Sequence, residues 1–116
     1  MWAAVWGLLL LINGARGVPV TYDAGLAAAA SHRAGQVAVC FEHPDGWWRT
    51  VYAEDGYRGG HYGEILAVAP FGCGQQCVFN SWMMSASHRA VIENPRYTRV
   101  GIVQRGWWWV VEFADG

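Results

Sequence analysis

Three points in the chain place side chains whose types could do chemistry. His43 stands immediately before Pro44-Asp45-Gly46, a turn signal in which proline presets one backbone angle and glycine relieves another, so its imidazole is held at a rigid corner. Glu64 is an acid among Gly63, Ile65, Leu66 and Ala67, and a carboxylate in such a setting is seldom buried without a partner. His88 lies within WMMSASHRAVIENPRYTRVGI, Trp82 to Ile102, which joins an apolar helical face, a histidine-arginine pair, a proline stop and the opening of a strand. Ser85, Ser87 and His88 are also the residue types of a nucleophile and its base, although Ser87 and His88, as sequence neighbours, do not face one another on a helix. No nucleophile elbow and no HExxH run is present. His32, alone on a helical stretch, reads as a surface or satisfied residue.

The three cysteines are an odd number, so they cannot all pair within the chain. Cys73 and Cys77, in FGCGQQCVF, are offset by four residues, close enough on a helix or in an adaptable glycine-flanked loop for a disulfide. Half of a metal site and two buried free thiols are the other readings, and no second closely spaced Cys/His pair accompanies them. Cys40 reads as a small buried residue at the end of an alanine-rich helix.

The elements that must position these groups follow from periodicity. Val78, Phe79, Trp82 and Met83 recur at helical spacing, and Pro95 disfavours helical geometry at Asn94, so His88 is expected in the last turns of a buried helix or just beyond it. Asp23 or Thr21 can cap a helix over about Ala24–Cys40, with Leu26, Ala30, Arg33 and Val37 on one face. Trp47 to Tyr57 is expected to be irregular or one short helix, and Gly63 to Val68 a short strand or helical turn. Arg99–Gln104 and Trp107–Phe113 read as strands joined by a two-residue turn at Arg105-Gly106. Alternation sends Trp107, Trp109, Val111 and Phe113 to one face and Trp108, Val110 and Glu112 to the other, both largely apolar and therefore both covered. This order implies an α+β sandwich, with helices on a small, mostly antiparallel sheet.

At 116 residues the chain is expected to be one domain. It is 53% hydrophobic and 15% charged, with a net charge of -1 and no lysine. Its eight arginines are scattered, so the basic stripe of a nucleic-acid binder is missing. The opening MWAAVWGLLLLI has the apolar run of a signal peptide, but no basic residue precedes Arg16 and the run is too short to cross a bilayer. A core helix ending near Asn13-Gly14 fits the same composition, and no transmembrane segment is expected.

GEILA, the Trp82–Ile102 run and GWWWVVEF, in that order, resemble the CAP superfamily, also called SCP-like or pathogenesis-related-1-like domains and including the CRISP family, in its bacterial-type branch. LLLLINGARGVPVTYDAGLAAAASHRAGQVA and FEHPDG resemble the family's opening helices and its histidine-bearing turn, so the likeness covers about residues 8–113. The resemblance implies a three-layer α-β-α sandwich with a central cleft, secreted or at the cell surface. It assigns His43 and His88 as cleft histidines, able to bind zinc or another divalent cation, with Glu64 in support, and no organic cofactor. Ile65 replaces the family's asparagine, and the second acid of eukaryotic members is missing, with Ser85 nearby.

Two imidazoles and a carboxylate are a usual zinc set, and a carboxylate behind an imidazole can orient it. Without metal, the three would form a hydrogen-bonded brace. The implied partner is a small ligand, a lipid or a cell-surface component. The alternatives are a hydrolase acting through metal-activated water in the same cleft, and a carbohydrate, cell-wall or membrane-surface binder using its tryptophans, of which Trp47 and Trp48 are expected to be exposed while Trp82 and most of Trp107 to Trp109 are core.

Overall fold

A four-stranded sheet separates two layers of helices. The computed structural model describes residues 2–70 and 72–116, so Met1, the first residue of the apolar opening run, lies outside the described residues. In chain order the elements are α1 (Trp2–Gly14), β1 (Thr21–Tyr22), α2 (Ala24–Val37), α3 (Trp47–Glu54), β2 (Tyr62–Val68), α4 (Gln75–Met83), α5 (Ala86–Glu93), β3 (Arg99–Arg105) and β4 (Trp108–Ala114). The strands lie in the order β1-β3-β4-β2; β1 runs parallel to β3 and the other pairs are antiparallel. The α+β sandwich expected from the order of elements is the observed architecture.

Alternation along β4 divides the core as the sequence predicts. Trp109, Val111 and Phe113 pack with Leu8, Ile12, Val78, Trp82 and Ile92 of α1, α4 and α5. On the opposite face Val110 packs with Ala30, Ala34 and Val37 of α2, and Ala114 with Leu26, Ala29 and Val51. The alanines of α2 let that helix lie close to the sheet, and the approach is tightest at Gly101, where an added Cβ would collide with the backbone of Leu26 and Ala27. Asp23 caps α2 by accepting a hydrogen bond from the Leu26 N–H at 3.0 Å.

Two polar residues of the opening segment tie distant pieces together. Asn13 exchanges side-chain hydrogen bonds with the backbone N–H and carbonyl of Val20 at 2.8 and 3.1 Å. The buried Arg16 donates to the carbonyls of Ile92, Asn94 and Tyr97 at 2.7, 2.9 and 2.6 Å, satisfying acceptors that the end of α5 leaves open.

Several expectations are corrected. α1 is half-buried, with Val5, Leu8, Leu9 and Ile12 inside and Trp2, Trp6 and Leu10 on the surface. α2 ends at Val37, so Cys40 lies beyond it and is exposed. The helix through Trp82 breaks at Met84-Ser85, placing His88 in the first turn of α5 rather than late in one long helix. Arg105 pairs with Trp108, so the hairpin turn is Gly106-Trp107, with Gly106 at φ 59°, and Trp107 is exposed. Of the readings open for Cys73 and Cys77, the disulfide is the one observed, with a Cα–Cα distance of 5.2 Å.

Because the obstruction at Gly101 is backbone of a packed helix, it cannot yield by a rotamer change. Gly101→Ala is expected to lower stability by about 3 kcal/mol or more, read as the shift in thermal or urea unfolding against the parent chain.

Candidate functional site

The site is built on one row across the sheet. Gly101 of β3 is opposite Glu112 of β4, and Glu112 is opposite Glu64 of β2. All three face α2. That helix delivers Arg33 onto the row: its Nε donates to Glu64 Oε2 at 2.8 Å and its Nη2 to Glu64 Oε1 at 2.7 Å. Both side chains are essentially solvent-free, at 1% and 0% exposure. Nη1 donates to Gln36 Oε1 at 2.7 Å, and Nη2 donates also to the Glu42 carbonyl at 3.1 Å. Burial opposes the ionisation of Glu64, but the hydrogen bonds and charge of Arg33 more than offset it, and the carboxyl titrates below its usual range.

Glu112 has the opposite fate. Burial, and then the negative charge of Glu64, raise its carboxyl well above the ordinary value, which favours its neutral form. Neither of its oxygens has a hydrogen-bond partner among the described residues.

His43 reaches the same carboxylate from the loop after α2, with Nδ1 at 2.9 Å from Glu64 Oε1. An ionised carboxylate only accepts, so Nδ1–H donates to it, and Nε2 has no hydrogen-bond partner among the described residues. The ring is 42% exposed and lies against Trp47, with centroids 6.1 Å apart. His88 is not bonded to Glu64. Its Nδ1 shares a 2.8 Å hydrogen bond with Ser85 Oγ, because the start of a new helix at Ala86 puts these residues one turn apart. Burial and then repulsion from His43 lower its pKa, which keeps it neutral at pH 7. The cleft histidines therefore sense each other's charge, but they are held by different partners.

As a metal centre this set is short of ligands. No group of three or more His, Cys, Asp or Glu side chains among the described residues is placed to hold an ion. Glu64 is already engaged by Arg33 and His43, and the imidazoles retain only Nε2 each. A three-ligand zinc set does not fit.

The sequence reading missed two members of this network. Local pattern puts Arg33 on the apolar face of α2 and Glu112 on a sheet face, and names no partner for either. The signal was present in both cases, a charge at a position whose periodicity points inward. Beside Arg33 a cavity of about 340 Å³ is lined by Gln36, Cys40, Asp45, Trp47 and Thr50. Hydrogen bonding to Glu42, with minor burial, raises the Cys40 thiol pKa, which makes it a poor nucleophile. Trp82 and Trp109 are core, Trp47 and Trp108 half-buried, and Trp48 exposed.

The layered architecture is that of CAP/SCP-like domains. It superimposes on a cysteine-rich secretory protein from Staphylococcus aureus with a TM-score of 0.86 at 19% identity, over 98% of this chain and 38% of that one. An outer surface protein from Borrelia burgdorferi matches with a TM-score of 0.84 at 20% identity, over 97% of this chain and 92% of that one. An extracellular protein containing an SCP domain from Bacillus anthracis matches with a TM-score of 0.84 at 18% identity, over 96% and 40% of the two chains. The chain thus spans well under half the length of the staphylococcal and anthrax proteins. No protein-family model and no curated protein matches it. Among the described residues no helix is long and apolar enough to cross a membrane.

Two substitutions separate the charges in the row. Glu64→Gln leaves Arg33 buried without its counter-ion and is expected to remove about 3–5 kcal/mol of stability. Glu112→Gln should do the reverse. An acid whose folded pKa is raised loses stability as pH climbs above its unfolded value, near 4.5. The neutral amide should therefore unfold at a higher temperature than the parent at pH 7, with the gap closing as pH falls through about 4.5, measured by calorimetric melts across that range.

Proposed function

We propose that this chain is a secreted or surface-displayed ligand-binding domain rather than an enzyme, and that its cleft engages ligand through His43 and His88, with Glu64 in support. The observation that carries this reading is the relay Arg33–Glu64–His43. A buried, doubly bonded carboxylate fixes one tautomer of a half-exposed imidazole, so His43 offers a directed acceptor to a hydrogen-bond donor on the ligand. The staphylococcal and anthrax matches are described as secretory and extracellular and the borrelial one as an outer surface protein, which supports the location.

Catalysis has less support. Ser85 and His88 form a hydroxyl-imidazole pair, but Glu64, the acid bonded to the other cleft histidine, is already held by Arg33 and His43 and does not bond His88. A nucleophile-base pair without an orienting third group is poorly activated.

A divalent cation is the second reading, favoured by one feature: each imidazole engages a partner through Nδ1 and leaves Nε2 unengaged. Two imidazoles without a third protein ligand would hold such an ion with water completing its shell.

Zinc titration by calorimetry of the metal-stripped protein, beside the His43→Ala/His88→Ala double variant, tests this cleft. The cation reading expects one equivalent of heat in the parent and none in the variant; heat in both, or in neither, overturns it. The ligand reading is tested by screening the parent and the same variant against a library of neutral hydrogen-bond-donor fragments by NMR. Hits that shift the His43 ring and vanish in the variant are expected, and hits indifferent to the substitutions would overturn it.

A further inference from the structure

A second cavity, of about 440 Å³, opens on the far side of Trp47. Trp47, Trp48 and Tyr52 of α3 line it, together with Tyr62 and the Gly59-Gly60-His61 segment. Among the described residues that line it, His61 carries the one imidazole, and none is Asp, Glu, Lys or Arg.

The walls form a bowl rather than a slot. Trp48 and Tyr52 are tilted by 54° at 6.5 Å between centroids, and Tyr52 meets Tyr62 at 67° and 5.6 Å. A flat heterocycle is best held between parallel rings, whereas inclined aromatic faces suit a thick, puckered ring with C–H groups on its faces. The Arg49 guanidinium lies over the Trp48 ring, 5.4 Å from its centroid. Trp48 is 44% exposed although it is a large apolar side chain.

The polar edge is built as firmly as the walls. Asp115 accepts from the Gly60 and His61 backbone N–H groups at 2.7 and 2.9 Å and lies 2.9 Å from His61 Nδ1. Burial works against its charge, but these bonds hold its pKa at about 2. Its ionised carboxylate therefore accepts from His61 Nδ1–H, which leaves Nε2 as the ring atom open to a ligand. Tyr62 is fixed below: its hydroxyl accepts from the Gly59 N–H at 2.9 Å and donates to Asp55 Oδ2 at 2.7 Å.

From this juxtaposition we infer that the aromatic cavity is a binding site for a neutral pyranose ring of an oligosaccharide, with one sugar face on Trp48 and Tyr52 and a hydroxyl donating to His61 Nε2. The absence of charged side chains in the lining matches an uncharged ligand, and the histidine supplies the directional contact that aromatic stacking lacks. Neither cleft histidine lines this site, although Trp47 of its wall also lies against His43.

The test is titration of the full chain with maltotriose, cellotriose and chitotriose, followed by tryptophan fluorescence and indole N–H shifts. At least one trisaccharide is expected to bind saturably, with the Trp48 indole signal moving. Trp48→Ala and His61→Ala should each weaken that binding tenfold or more, while His43→Ala/His88→Ala should leave it unchanged. Far-UV circular dichroism establishes that the variants are folded, and Trp48→Phe, which keeps an aromatic face, should lose less than Trp48→Ala. Failure of all three sugars to bind would overturn the inference. So would binding insensitive to both Trp48 and His61, or saturable binding of adenosine with none of any sugar.

Discussion

The contact on which the rest depends is the double hydrogen bond between Arg33 and Glu64, sealed between α2 and the sheet. Taking two charges out of water is unfavourable, and their attraction repays it only when geometry is good and the remaining donors are satisfied. Here Gln36 and the Glu42 carbonyl also accept from the guanidinium. Glu112 completes the balance, since its surroundings favour the neutral form. The same row contains Gly101, whose missing side chain lets α2 descend far enough for Arg33 to reach Glu64. The position of His43 follows from these conditions, since its ring is oriented by a carboxylate that cannot move.

Each of the four histidines has a side-chain partner, which makes their differences informative. His32 and His61 pair with Glu54 and Asp115 near the surface, and His88 with a serine hydroxyl. Only His43 is held by an acid that is itself fully buried and doubly bonded. A surface partner can be exchanged for water at little loss; the partner of His43 cannot.

Much of this was legible because it rests on periodicity. The alternation from Trp108 to Phe113 correctly assigned both faces of β4, Trp107 falling in the turn, and the spacing of Leu26, Ala30, Arg33 and Val37 gave the buried face of α2. What local pattern could not supply was pairing between distant residues. Nothing within α2 says that Arg33 will meet Glu64 thirty-one positions later, or that Glu112 will lie opposite Glu64. The break at Met84-Ser85 was also hidden, because helix-favouring residues continue on both sides and the interruption is imposed by α4 and α5 packing on different parts of the molecule. The turn at Gly106-Trp107 was displaced by one residue, as Arg105 can extend a strand as readily as it can enter a turn. β1, with two residues and a parallel neighbour more than seventy positions away, had no local signal.

The strand order β1-β3-β4-β2 has a consequence for biosynthesis. The two central strands are the last two elements of the described chain, so α1 through α5 emerge from the ribosome before the surface that buries them exists. Arg16 must likewise wait for the carbonyls near Asn94 before its donors have acceptors. Domains generally fold as units during synthesis, and here the sheet lacks one of its two central strands until Trp109 to Ala114 have been made. Up to that moment the apolar faces of α1, α2 and α4 have no completed sheet to pack against.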